Sequence, residues 1–339
     1  MKQLTEKENF MMYMRGEQPL WVPRYSMAPD RYSKYPPAVL PVAPSFLNAR
    51  RTPEGGFDMW GVPHVVTAET GGAALPEPGR FILTDITKWR DVVKAPDVSG
   101  IDWEQLAKKD LAGFDRENTA VLATTHVGYF QQLMAFMGFT EGLCAIYEEP
   151  EEVHALFSYM ADFFAGITKK MIEYYKPDVA DLTDDTATAL NPFISPETYR
   201  ALVKPYHKRQ TQSAVDAGLP VMMHNCGRCE DSIEDWFDLG VTAWNPAQVM
   251  NDLDGVKKKY GNRIGLCGCW DSEGPVGWAG AKEDFVRQTV REVIDRFAPG
   301  GGFCFWGSAY GPVGDAETES RKRWITEEYE RYGRVFYGK

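Results

Sequence analysis

From residue 119 onward the chain alternates short apolar runs with longer amphipathic stretches, and this alternation restricts the possible folds more than any other feature. "TAVLATTH" (119–126), "DVADLTDD" (178–185), "LPVMMHNC" (219–226), "VTAWNP" (241–246), "RIGLCGC" (263–269) and "GGFCFWG" (301–307) have the length and composition of buried strands. Helical patterns lie between them, near 127–147 and 150–175 and over 195–218, 230–240, 250–262 and 282–299. Ser195 serves as an N-cap and Gly218 as a terminator of the third. Short strands separated by helices imply parallel pairing through crossovers. No Gly-rich phosphate loop follows an early strand, which removes the usual reason to expect an open doubly wound sheet. The expectation is a single (β/α)8 TIM barrel over residues 1–339, with regular repeats over 119–339.

The first hundred residues are different. "PLWVPRYSMAPDRYSKYPPAVLPVAPSF" and "GGFDMWGVPH" are rich in Pro and aromatics, so residues 1–100 read as an irregular segment at the barrel mouth. The opening "MKQLTEKENFMMYMRGEQ" reads as an amphipathic helix and not as a signal peptide. No apolar run is long enough to span a membrane, and the chain is expected to be cytoplasmic. A net charge of −11 without a basic stripe argues against nucleic acid as a partner. Six cysteines in a chain of 339 residues do not read as a disulfide framework.

Strand after strand ends in polar or metal-capable residues: His126, Asp184 and Asp185, His224 and Cys226, Asn245, Cys267 and Cys269, Cys304. In a barrel these ends converge on one mouth, where active sites are built. His224 and Cys226 occupy alternate positions and can face one ion. Cys304, near the end of the last strand, is expected beside them on barrel closure, which makes His224, Cys226 and Cys304 a zinc-like donor set. Cys267, Cys269, Asp184 and the substrate are alternatives for a fourth ligand. The competing reading is of ordinary buried thiols and a core histidine, with Cys226 and Cys229 as a redox pair a further alternative. Asp184 and Asp185 are a candidate acid/base or fourth-ligand source, or an N-cap and its solvated neighbour. His126 and Tyr310 are candidates that could equally be structural.

The stretch "HNCGRCEDSIEDWFDLGVTAWNPAQVMNDLDGVKKKYGNRIGLCGCWD" (224–271), together with "DVADLTDDTATALNPFISPETYRALVKPYHKR" (178–209), resembles the uroporphyrinogen decarboxylase superfamily. The resemblance implies a (β/α)8 barrel and offers two chemistries. Decarboxylases of the family carry an N-terminal arginine-rich motif that grips a tetracarboxylate. Here Arg24 and Arg31 stand alone, and multiple acetate groups require several positioned guanidinium forks. The other branch comprises zinc-dependent, corrinoid-linked methyltransferases, and His224, Cys226 and Cys304 are similar to its His-x-Cys pair plus distant Cys.

That resemblance implies an enzyme that transfers a methyl group from a small methylated donor to the Co(I) corrinoid (cobalamin) of a separate protein, since no segment here looks like a cobalamin-binding domain. Trp21, Arg24, Tyr25 and Trp60, with Tyr32, Tyr35 and Phe57, are expected to line a pocket for an aromatic methyl ether, making the reaction an O-demethylation. A methyl-corrinoid:thiol methyltransferase and a uroporphyrinogen decarboxylase are the alternatives.

Overall fold

The computed structural model describes residues 4–67, 73–125, 128–312 and 314–338. Seven parallel strands form its central sheet: β1 (Val39–Val42), β6 (Ala120–Ala123), β7 (Val179–Thr183), β8 (Val221–His224), β9 (Val241–Ala247), β10 (Gly265–Gly268) and β11 (Phe303–Phe305). They are hydrogen-bonded in that order. The numbers β2 (Arg51–Thr52), β3 (Gly55–Phe57), β4 (Pro63–Val65) and β5 (Leu75–Pro76) belong to a separate antiparallel sheet. An eighth stave comes from the N-terminal segment. Tyr25 donates its amide to Phe305 O at 2.9 Å, and Phe305 donates to Pro23 O at 2.8 Å. Tyr25 then meets Ala38 and Val39 inside the ring. The architecture is the expected (β/α)8 barrel.

The N-terminal segment therefore does more than decorate the rim. The expected helix forms at Glu6–Met14, started by a capping box in which Thr5 and Glu8 bond each other's amides. Its Phe10, Tyr13 and Met14 pack into the inner cluster with Val39, Ala120, Val179, Met222, Ala243, Cys267 and Cys304. Tyr13 lies over Gly265, at the start of β10, so closely that a Cβ there would sit 2.5 Å from its ring. The helix thus closes the end of the barrel where the strands begin, tied to Asn118 just before β6 by the Lys7 amide and to the Trp21 carbonyl by the Asn9 side chain. Sequence patterning placed the segment only at the opposite end.

The helical stretch near 127–147 is two helices, Tyr129–Met137 and Phe139–Glu148. They divide at Gly138, whose φ of +82° suits a residue without a Cβ, and Phe81 occupies the space a side chain would need. Ser195 caps its helix through Thr198 N, and Gly218 follows the end of Lys204–Asp216 with φ +70°. A long helix at Ala316–Tyr332, capped by Asp315, completes the outer layer. Between strands and helices lies the main apolar core. Trp60 belongs there, 5.6–6.2 Å from the ring centroids of Phe136, Phe163 and Phe164. It is 4% exposed and packs away from the mouth, so it does not line a substrate pocket as expected. Among the described residues no helix is long and apolar enough to cross a membrane.

Candidate metal centre at the barrel mouth

β7 and β8 are neighbours in register, with Thr183 opposite His224, and Asp184 donates its amide to His224 O at 3.0 Å. The residues just beyond these two strands are therefore held side by side. Asp184 and Asp185 diverge at this point. Asp184 turns outward and is completely buried; its oxygens accept amides from Tyr129, Phe130 and Gln131 at 2.9–3.0 Å, and His207 Nε2 lies 3.0 Å away. It thus caps the Tyr129–Met137 helix from another strand and fixes the bend after β7. Satisfied on all sides and closed to solvent, it is not available as an acid, a base or a fourth ligand at the mouth.

Asp185 turns inward. Its Oδ1 accepts the Cys226 amide at 2.9 Å, and Oδ2 takes Gln131 Nε2 at 3.3 Å. Cys226 Sγ lies 3.8 Å from His224 Nε2, and His224 Nδ1 lies 2.9 Å from Asn245 Oδ1. A carbonyl oxygen only accepts, so Asn245 places the imidazole proton on Nδ1 and leaves Nε2 as a lone pair facing the sulfur. One donor atom each from Asp185, His224 and Cys226 lies within 4.8 Å of the others. A tetrahedral zinc with bonds of about 2.3 Å to sulfur and 2.0 Å to nitrogen holds those two ligands about 3.5 Å apart. Three donors with an outer hydrogen bond orienting the histidine match a catalytic zinc site that keeps one position open. Carboxylate, thiolate and neutral imidazole also balance a divalent charge. Burial, followed by the Asp185 carboxylate, pushes the Cys226 thiol up. A bound cation would reverse that order by stabilising the thiolate.

Cys304 is not part of this group. β11 lies three places from β8 in strand order, nearly across an eight-stave ring, and strands are spaced about 4.8 Å apart. Cys304 is in register with Cys267, and both are fully buried in the inner cluster above Tyr13. The three-ligand set expected from sequence therefore changes: Asp185, on the adjacent strand end, stands where Cys304 was expected. Cys267 is buried in that same inner cluster, and Cys269 lies in the outer core with φ +53°, so neither is a reserve ligand. Cys229 is buried with its Sγ 3.6 Å from the Asn225 and Gly227 carbonyls. His126 lies outside the described residues.

A cleft of about 680 Å³ opens at the mouth between residues 24–32 and the loop after β11, lined by Tyr25, Met27, Tyr32, Trp306, Ser308 and Tyr310 among others. The Tyr25 hydroxyl donates to Met27 Sδ at 3.2 Å, and burial, followed by the charges of Cys226 and Glu273, pushes the Tyr310 phenol upward. Trp306 tilts against Tyr25 with ring centroids 4.9 Å apart. Arg24 lines the cleft but is tied to Asp30 at 2.5 Å and Thr326 at 3.0 Å. Arg31 pairs with Glu319. Trp21 lies elsewhere, against the N-terminal helix, with its indole bonded to Glu6 at 3.1 Å and Arg334 over its ring. It does not reach the cleft.

Sequence reasoning missed two groups. Asn245 was noted only as a polar strand end, and its position opposite His224 emerges from strand register. Asp181 was passed over, although it shares inward parity with Val179 and Thr183 in "DVADLTDD".

No curated protein matches the chain. Among solved structures, a methyltransferase from Methanosarcina mazei shares the fold with a TM-score of 0.58 at 14% identity, covering 97% of this chain and 99% of that one. An archaeal fructose 1,6-bisphosphate aldolase overlaps at a TM-score of 0.26 and 14% identity, over 58% of this chain and 89% of its own. Residues 117–317, which carry the strands from β6 to β11 and all three donors, match the uroporphyrinogen decarboxylase (URO-D) family, and the chain belongs to that family.

Proposed function

We propose that the chain is a zinc-dependent methyltransferase that takes a methyl group from a small aromatic methyl ether and passes it to the Co(I) corrinoid of a separate protein. The observation carrying this reading is the Asp185–His224–Cys226 group at the open end of the barrel, with Asn245 orienting the imidazole. The fold shared with a methyltransferase supports it. When bound there, zinc supplies Lewis acidity at the ether oxygen, making it a better leaving group. A carboxylate in place of a second thiolate gives a harder donor set, which suits an oxygen leaving group more than a thiolate acceptor.

The other roles fall to residues of the chain. Trp306, half-buried in the cleft wall with Tyr25 packed behind it, is proposed to offer its ring face to an aromatic substrate. Tyr310 lines the cleft after β11 and is the residue proposed to give a proton to the departing phenolate. Against the decarboxylase alternative, Arg24 and Arg31 are each engaged by a carboxylate.

The test is metal analysis of the purified chain followed by incubation with reduced corrinoid protein and a panel of methoxyarenes, with the cobalt spectrum as readout. One zinc per chain and methoxyarene-dependent loss of the Co(I) band are expected. Turnover of methylcobalamin with a small thiol, without any methoxyarene reaction, would assign the alternative half-reaction. Metal-free protein inactive in both assays would remove the proposal.

A further inference from the structure

Asp181 is the least buried residue of β7, and it points into the barrel. Its Oδ2 accepts the hydroxyls of Thr124 at 2.7 Å and Thr183 at 2.8 Å, which fix the carboxylate in one orientation. No lysine, arginine or histidine pairs with it among the described residues, and its second oxygen is not among the buried, unpartnered atoms. Asp181 is partly exposed, and the helix Glu6–Met14 closes the end of the barrel where the strands begin, so among the described residues the mouth is its way to solvent.

Tyr25 shares the inner cluster with Val179 of the same strand and with Met222, the register partner of Asp181, and burial followed by the Asp181 charge pushes its phenol upward. Asp181 is in register with Met222, two residues below His224 on β8, which places it about 6.6 Å deeper along the strands than the proposed metal ligand. An oriented carboxylate with one open oxygen, below a metal site and beside an aromatic wall, is arranged to receive a donor group from a bound ligand.

We infer that Asp181 is the substrate-anchoring residue of this site: it accepts a hydrogen bond from an O–H or N–H group at the end of the methyl donor remote from the reacting methyl, and so selects donors that carry one. This rests on the methyl-transfer reading for the identity of the substrate but not for the existence of the subsite.

The test is calorimetric binding to the zinc-loaded chain, without corrinoid protein, of methoxybenzene, methoxyphenol and methoxybenzylamine, and of phenol and benzylamine as methyl-free probes. Wild-type protein should bind methoxyphenol or methoxybenzylamine roughly tenfold to a hundredfold more tightly than methoxybenzene. Asp181→Ala should abolish that advantage while leaving methoxybenzene binding and zinc content unchanged. Asp181→Asn, which keeps an accepting carbonyl, should restore part of the advantage for the phenol and little for the cation, which separates the two donor types. An advantage retained in Asp181→Ala, or equal weakening of methoxybenzene, overturns the inference. If no methoxyarene binds but phenol or benzylamine does so in an Asp181-dependent way, the methyl-ether reading fails and the subsite stands. If those probes fail as well, the subsite falls with it.

Discussion

His224 Nδ1 lies 2.9 Å from Asn245 Oδ1, and this contact decides which ring nitrogen faces Cys226. Outer hydrogen bonds of this kind are typically worth ten- to a hundredfold in metal affinity. Asn245→Ala should therefore weaken zinc binding by about that factor while leaving the barrel folded. Chelator competition reads the affinity, and circular dichroism reads the fold. Unchanged zinc retention would show that the imidazole is oriented by something else.

Ligand assignment can be separated residue by residue. Asp185→Ala and Cys226→Ser should drop zinc stoichiometry toward zero. Cys304→Ala should leave it at one, at a cost of about 1–2 kcal/mol in stability from the small cavity beside Cys267. Metal loss in the Cys304 variant alone would restore the ligand set expected from sequence.

Gly128 precedes the helix Tyr129–Met137, and a Cβ there would lie 2.1 Å from Asp184 Oδ1 and 2.6 Å from the Asp184 Cα. The obstruction includes backbone, so it cannot be relieved by a rotamer change. Gly128→Ala should destabilise the protein by about 2–4 kcal/mol and shift the bend after β7, lowering zinc affinity as well. Asp184→Asn should cost several kcal/mol, since a buried charge-assisted cap loses its charge and one acceptor. Urea unfolding measures both. A stable Gly128→Ala that retains full metal affinity would contradict the rigidity assigned to this bend.

Glu328 is fully buried among Arg287, Arg291 and Arg331. Burial raises its carboxyl, but the hydrogen bonds and charges of Arg331 and Arg291 more than offset this and hold it below the ordinary value. A depressed folded-state value adds stability above the unfolded value of about 4.3, and this is lost as pH falls through the folded value. Glu328→Gln should accordingly be less stable than wild type at pH 7, with the two melting temperatures converging below about pH 4. Parallel melting curves from pH 7 to 3 would rule this out.

The barrel was legible in the sequence because each strand from β6 to β11 carries its own apolar run and its own flanking helix. β1 and the Pro23–Tyr25 stave were not, because Pro-rich extended segments resemble loops until a neighbouring strand supplies their partners. His224 and Cys226 could be paired because they share a strand and a parity. The third donor could not be chosen from sequence. Asp185 and Cys304 both follow or end strands, and only strand order places one next to β8 and the other across the ring. Trp21 and Trp60 illustrate the same limit: aromatic content in a Pro-rich segment does not reveal which rings face outward, and both were absorbed into packing.

The stopper formed by Phe10, Tyr13 and Met14 gives the vessel a bottom. Among the described residues the way to Asp185, His224 and Cys226 is then by the opposite end, the one that the proposed methyl-accepting partner would have to cover. On the proposed function, loading and unloading of the small molecule would alternate with docking of that partner, and a tightly held partner would slow turnover instead of assisting it.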